Sequence, residues 1–374
     1  MSERTPRLAP SDRFAVSGGL RMLGYLCHEF PRLWAGIERL ESAVLRERLE
    51  GVAIRKPIYV TGMARSGTTI LLELLAGMPG VVTHLYRDFP PIWTPFLWNS
   101  FLELVPRRDT RPHERPHQDG IEITPDSPEA MEEPIWMRFF PTTHDPSKSN
   151  LLGRDTRNDS FAAFYRRHIQ KLLLLRGGQR YLAKGNYNVS RLAYIQSLFP
   201  DAIFIVPIRH PLAHVASLSR QHRNFSSGQS AHPAARAYLR RVGHFEFGMD
   251  RVPINMGDDD AIRIILQRWH AGDELAGWAL CWSHIYGRLR EQLDRDERLR
   301  NAVLIVRYED LNAHPSEGLQ RVLEHCQLDV DAQVITELAK RLHPSRRTGS
   351  ELDSADAQKI LRLTEATRAS YGYT

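Results

Sequence analysis

The stretch GMARSGTT, residues 62–69, constrains this chain more than any other. It follows the apolar run Ile58-Tyr59-Val60-Thr61 and precedes Ile70-Leu71-Leu72-Glu73-Leu74-Leu75, so the order is strand, glycine loop, helix. A glycine in such a loop lets the backbone approach a ligand closely. The helix that follows presents unpaired N–H groups and the positive end of its dipole. The stretch therefore reads as an anion cradle with spacing G-x4-G-[KT]-[ST]. Arg65, Ser66, Gly67, Thr68 and Thr69 are its candidate ligands. A nucleotide triphosphatase carries lysine where this loop has Thr68, and the cation here is Arg65 instead.

Other short apolar runs repeat the strand pattern at residues 181–184, 202–208 and 302–306. Helical spacing fills residues 15–50, 192–198, 258–300 and 317–342 between and around them. Continuously apolar strands alternating with helices predict an α/β, three-layer fold with a central parallel sheet flanked by helices. A single domain over residues 1–374 is expected. It carries a helical N-terminal extension (1–54), an insertion (85–171) rich in Pro, Asp, Arg and His over residues 84–128, and a polar C-terminal tail (346–374). Trp93, Trp98, Trp136, Phe139 and Phe140 are candidates to line an apolar acceptor pocket, though such aromatics are more often core and are weighted that way.

A second constellation lies in IVPIRHPLAHVASLSRQH, where Arg209 closes a strand and Ser217 falls two turns into the next helix. A guanidinium gives charge and bidentate geometry to an anion, and a hydroxyl adds a directed donor. With the loop at 62–69, this pair resembles the two signatures of the sulfotransferases that use 3′-phosphoadenosine 5′-phosphosulfate (PAPS). The segments FPDAIFIVPIRHP, VLIVRYEDLNAHP and YLAKGNYN are similar to further family blocks, with His210 where an aspartate is usual. The resemblance implies a P-loop NTPase-like sulfotransferase fold. It also implies that Arg209 and Ser217 hold a 3′-phosphate, with PAPS as co-substrate and PAP as product. A loop with Arg65 and Thr68 suits one 5′-phosphosulfate better than a Mg-bound triphosphate.

Sulfuryl transfer by analogy with phosphoryl transfer needs positioning and charge stabilisation, and no metal is expected. Lys184 is the candidate second cation near the bridging oxygen. The acceptor hydroxyl or amine needs a base. In DGIEITPDSPEAMEEPIW, Ser127-Pro128-Glu129 reads as a helix start, which would set Glu129 and Glu133 on one face beside Glu132. Pro134 would then kink or end that helix. Close carboxylates would raise one pKa into a useful range. Glu133 or Glu132 leads as base, then Glu129, with His117 as rival. A P-loop small-molecule kinase and a non-catalytic nucleotide-binding protein of the same fold are the alternatives.

A net charge of +6 and a pI near 9.3 favour an anionic partner. The basic residues are dispersed, which argues against nucleic acid. No apolar run approaches the roughly 18 residues of a membrane span. Cys27, Cys281 and Cys326 are too far apart for a disulfide framework. A cytoplasmic protein of bacterial character, acting on a small-molecule, glycan or lipid acceptor, is the resulting expectation.

Overall fold

A computed structural model describes residues 14–105, 112–115, 117, 121–342 and 352–374. The described strands are β1 (Ile58–Val60), β2 (Val81–Val82), β3 (His113–Glu114), β4 (Glu122–Ile123), β5 (Arg180–Lys184), β6 (Ile203–Ile208) and β7 (Val303–Arg307). Five of them form one sheet in the order β2-β5-β1-β6-β7, and every neighbouring pair is parallel. β3 and β4 form a separate antiparallel ribbon. In register, Val60 pairs with Lys184 and Ile58 with Ile203.

Alternate residues of the sheet feed two cores, because successive side chains point to opposite faces. Ile58, Val60, Leu182, Ile203 and Ile205 pack on one side with Leu71, Leu72 and Leu75. Tyr59, Tyr181, Ala183, Phe204 and Val206 pack on the other with Tyr165, Ile169 and Trp282. Both faces are covered, which is why these strands show no polar alternation. The expected three-layer architecture with a central parallel sheet is realised.

The helices used below are α1 (Gly18–Glu29), α2 (Pro31–Val44), α3 (Thr68–Ala76), α4 (Glu133–Phe139), α5 (Asp159–Arg176), α6 (Pro211–Ala231), α7 (Pro233–Arg241), α8 (Glu274–Arg295) and α9 (Ser354–Ser370). α2 is held to α5 by a buried cation. Lys171 Nζ lies 3.2 Å from Glu38 Oε1 and 2.7 Å from Glu41 Oε2. Trp136, Phe139 and Phe140 pack around Phe161 in the core, as their sequence reading expects.

Two local readings change, and one strand had no reading. The run 127–129 starts no helix: Ser127 closes a turn with Thr124, and Pro128 bridges to Leu85. The helix begins at Glu133 with Pro134 in its first turn, where a missing N–H costs nothing. Glu129 therefore sits on extended chain, not one helical turn from Glu133. The edge strand Val81–Val82 was too short to leave a pattern. Finally, the polar stretch beyond residue 346 contains α9, which packs against α6 and α8, and Tyr371 and Tyr373 beyond it are buried. Among the described residues no helix is long and apolar enough to cross a membrane.

Candidate active site

The loop at 62–69 leaves β1 at its C-terminal end and enters α3, the position where open parallel sheets bind ligands. Gly67 has φ +107°, and a Cβ there would lie 2.9 Å from the Tyr308 ring. The loop is thus packed beneath an aromatic plate that only glycine admits. Arg65 also takes a left-handed backbone, φ +72°, two residues before that glycine. The Ser66 hydroxyl donates to Met63 O at 2.8 Å, so Ser66 braces the loop from within. His214 Nε2 lies 2.8 Å from Ala64 O. Burial pushes His214 down to about 3, so the neutral ring donates this bond.

β6 ends one residue before Arg209, and α6 begins at Pro211. The His210 side chain caps that helix by accepting from Leu212 N–H. Ser217 is buried on the second turn, with its Oγ 3.4 Å from Arg65 Nε. The Arg209 guanidinium stands 5.0 Å over the Tyr308 ring. Burial lowers the Arg209 pKa, with Tyr308 and Glu309 opposing and the Arg65 and Arg220 charges reinforcing the shift. Loop and second signature therefore meet in one place. Tyr308 floors both, and the Arg65 and Arg220 charges stand close enough to Arg209 to act on its pKa.

A cleft of about 480 Å³ opens from this point. Arg65, Thr68, Thr69, Lys184, Glu129 and His117 all line it. Lys184 ends β5 beside the loop, and Thr61 ties the two turns by donating to Gly185 O at 2.7 Å. The three candidate carboxylates occupy different environments. Glu132 is buried and accepts hydroxyls from Tyr165 and Tyr181. Glu133 receives both guanidinium nitrogens of Arg191, at 2.8 and 2.7 Å, and His144 Nε2 at 2.8 Å. Glu129 accepts the Tyr86 hydroxyl. Burial pushes the Glu129 carboxyl up, but Lys184, Arg115 and Tyr86 outweigh it and hold the pKa below the ordinary value. At Glu133 burial likewise pushes the pKa up, and Arg191 and His144 outweigh it and hold it below the ordinary value. Neither carboxylate has the raised pKa expected from mutual repulsion.

The sequence pattern described as Sulfotransferase family matches residues 57–255, more than half of the chain and both constellations. The chain belongs to the sulfotransferase family. No curated protein matches its sequence. Among solved structures, sulfotransferase STF9 from Mycobacterium avium is similar at 16% identity and TM-score 0.50, covering 89% of this chain and 82% of that one. Sulfotransferase STF1 from Mycobacterium tuberculosis H37Rv gives 16% identity and TM-score 0.47, over 96% and 93%. The sulfotransferase domain of the Synechococcus PCC 7002 olefin synthase gives 14% and 0.39, over 86% and 96%. At such identities the likeness to the first concerns the sulfotransferase fold.

For this sulfotransferase-family chain, several cleft residues escape sequence reasoning. Arg115 is buried and donates from Nη1 to Thr69 Oγ1 at 3.4 Å. Asn186 donates to Glu246 at 2.9 Å and stands 3.4 Å from Thr68 Oγ1. Tyr86 and Tyr308 hold Glu129 and the loop, respectively. None has a motif of its own. Tyr308 and Asn186 adjoin motifs, inside the blocks VLIVRYEDLNAHP and YLAKGNYN.

Proposed function

We propose that the protein transfers a sulfuryl group from PAPS to a hydroxyl acceptor, with Glu129 as general base. The observation that carries this reading is a cleft lined by Arg65, Glu129 and Lys184, with Ser217 bonded to Arg65 and the Arg65 charge acting on Arg209. Arg209 and Ser217 would bind a 3′-phosphate, Arg209 by charge and Ser217 by its hydroxyl. The amides at Gly67 to Thr69, with Arg65, would bind the 5′-phosphate. A Cβ at Gly67 would press on the Tyr308 ring, so the close packing of this loop depends on glycine.

In the transfer, Glu129 takes the proton of the acceptor hydroxyl as its oxygen forms a bond to sulfur. The bond from sulfur to the bridging oxygen breaks, and its electron pair stays on the 5′-phosphate of PAP. Lys184 and Arg65 stabilise that developing charge. A base held below the usual carboxylate range is ionised at neutral pH but weak. It suits a reaction in which the sulfur–oxygen bond loosens before the proton moves. Glu132 and Glu133 are assigned to structure, because each already spends its charge on buried donors. His117 lies against Phe225, 5.0 Å between ring centroids, on the aromatic wall of the cleft.

The test is calorimetry with PAP and ADP on the wild type and on Arg209→Ala with Ser217→Ala. Tight PAP binding, weak ADP binding and loss of that preference in the variant support the donor assignment. Equal or tighter binding of ADP or Mg-ATP would replace it with a kinase reading.

A further inference from the structure

Beyond its charged end, the cleft changes character. Phe14, Leu20, Phe225, Tyr238, Leu239 and Val242 line its remainder. Their arrangement is built rather than incidental. Ala235, Tyr238, Leu239 and Val242 recur at spacings of three and four, so one face of α7 and its C-cap look into the cleft. α1 packs against α7 and contributes Leu20. Phe14 lies edge-on to Phe225, 5.0 Å between centroids, and is buried. Its seat is a notch in α6: a Cβ at Gly228 would come within 2.3 Å of the Phe14 ring. The N-terminal segment thus completes a wall whose other half lies more than 200 residues later.

Two imidazoles, His117 and His244, lie against the Phe225 ring, and other polar groups of the cleft pair with one another. Arg115 reaches Thr69, Asn186 reaches Thr68 and Glu246, and Glu129 reaches Tyr86. A glycan placed against Leu20, Leu239 and Val242 would lose water from its hydroxyls and find few partners there. An apolar body buries well on the same surface. Building on the sulfotransferase reading above, we propose that the acceptor is a neutral lipophilic alcohol. Its hydrocarbon body would lie against α7 and the Phe14–Phe225 wall, with its hydroxyl at Glu129. The resident selectivity device is then α7 with the Phe14 seat, and the phosphate loop takes no part in it.

The experiment titrates 1-dodecanol against Nile red bound to the full chain, with and without saturating PAP, and repeats it with N-acetylglucosamine. Dodecanol is expected to displace the dye in the PAP complex, and the sugar is not. In Leu239→Glu, half-displacement should need at least ten-fold more alcohol while PAP affinity by calorimetry stays unchanged. Gly228→Leu, which evicts Phe14, should shift displacement in the same direction and guards against a fold defect peculiar to the first variant. No displacement by dodecanol in the wild type, or equal displacement in wild type and both variants, overturns the proposal. Dodecanol binding in a protein that binds no PAP keeps the lipophilic site and removes the transfer reading, so the two failures are distinguishable.

Discussion

The phenol of Tyr86 donates a hydrogen bond to the carboxylate of Glu129, joining residues 43 positions apart along the chain. Tyr86 follows the edge strand β2, and the Leu85–Pro128 bridge brings the Glu129 segment alongside it. The Glu129 amide closes the contact by donating to His84 O at 3.1 Å. The proposed base is thereby fixed to the sheet edge, at the cleft end that carries Lys184.

Glu129→Gln is expected to lower kcat by about 10²- to 10⁴-fold, the range of a lost general base, with PAP affinity retained. Glu133→Gln breaks a buried pair with Arg191 and should destabilise the fold by about 3–5 kcal/mol. Thermal melts beside steady-state rates separate the two. A Glu133 variant that melts like wild type yet has no activity would exchange the roles.

Tyr86→Phe removes one of the interactions that hold the Glu129 pKa down. A base must be deprotonated, so activity is lost as pH falls through its pKa. The acid limb of kcat/KM in wild type should lie below the ordinary glutamate value of about 4.3. In the variant that limb moves upward. An unmoved limb would mean that Glu129 does not govern it.

Gly67→Ala must place a side chain at φ +107° and against Tyr308. The backbone alone costs on the order of 1–2 kcal/mol. We expect a lower melting temperature and at least ten-fold weaker PAP binding by calorimetry. Wild-type behaviour in both would mean that the loop does not need the glycine.

Acid should unfold the protein earlier than its carboxylates alone require. Burial depresses His214 to about 3, and His222 and His284 to about 4. Each binds a proton near 6.5 when unfolded but stays neutral when folded, so its full contribution is present above pH 6.5. It is lost as pH falls from there toward 3–4, at about 1.4 kcal/mol per pH unit for each ring. Melting temperatures from pH 8 to 4 test this. A flat profile between pH 6.5 and 5 would contradict it.

Much of the proposed donor side was legible in sequence because its residues are local. The loop at 62–69 and the Arg209–Ser217 spacing each sit within one strand–helix junction, and short apolar strands announce themselves. The proposed base was not legible in that way. The order of Glu129, Glu132 and Glu133 is set by contacts with Tyr86, Tyr181 and Arg191, which no local pattern encodes. Arg115 reaches Thr69 across 46 residues. The C-terminal tyrosines were hidden for the same reason. Tyr373 Oη donates to Glu309 Oε2 at 2.7 Å, and Glu309 in turn accepts the amide of His210 beside Arg209.

The notch at Gly228 has a consequence for how such a cleft diversifies. The phosphate loop stands on the strands, and its geometry is tied to the sheet register. The apolar wall stands on α7 and on a segment that passes over α6 at a single missing methyl group. Substitutions at positions 14, 228, 235, 239 and 242 can therefore reshape one end of the cleft while the sheet is left intact. A library confined to them would sample new substrates on an unchanged engine.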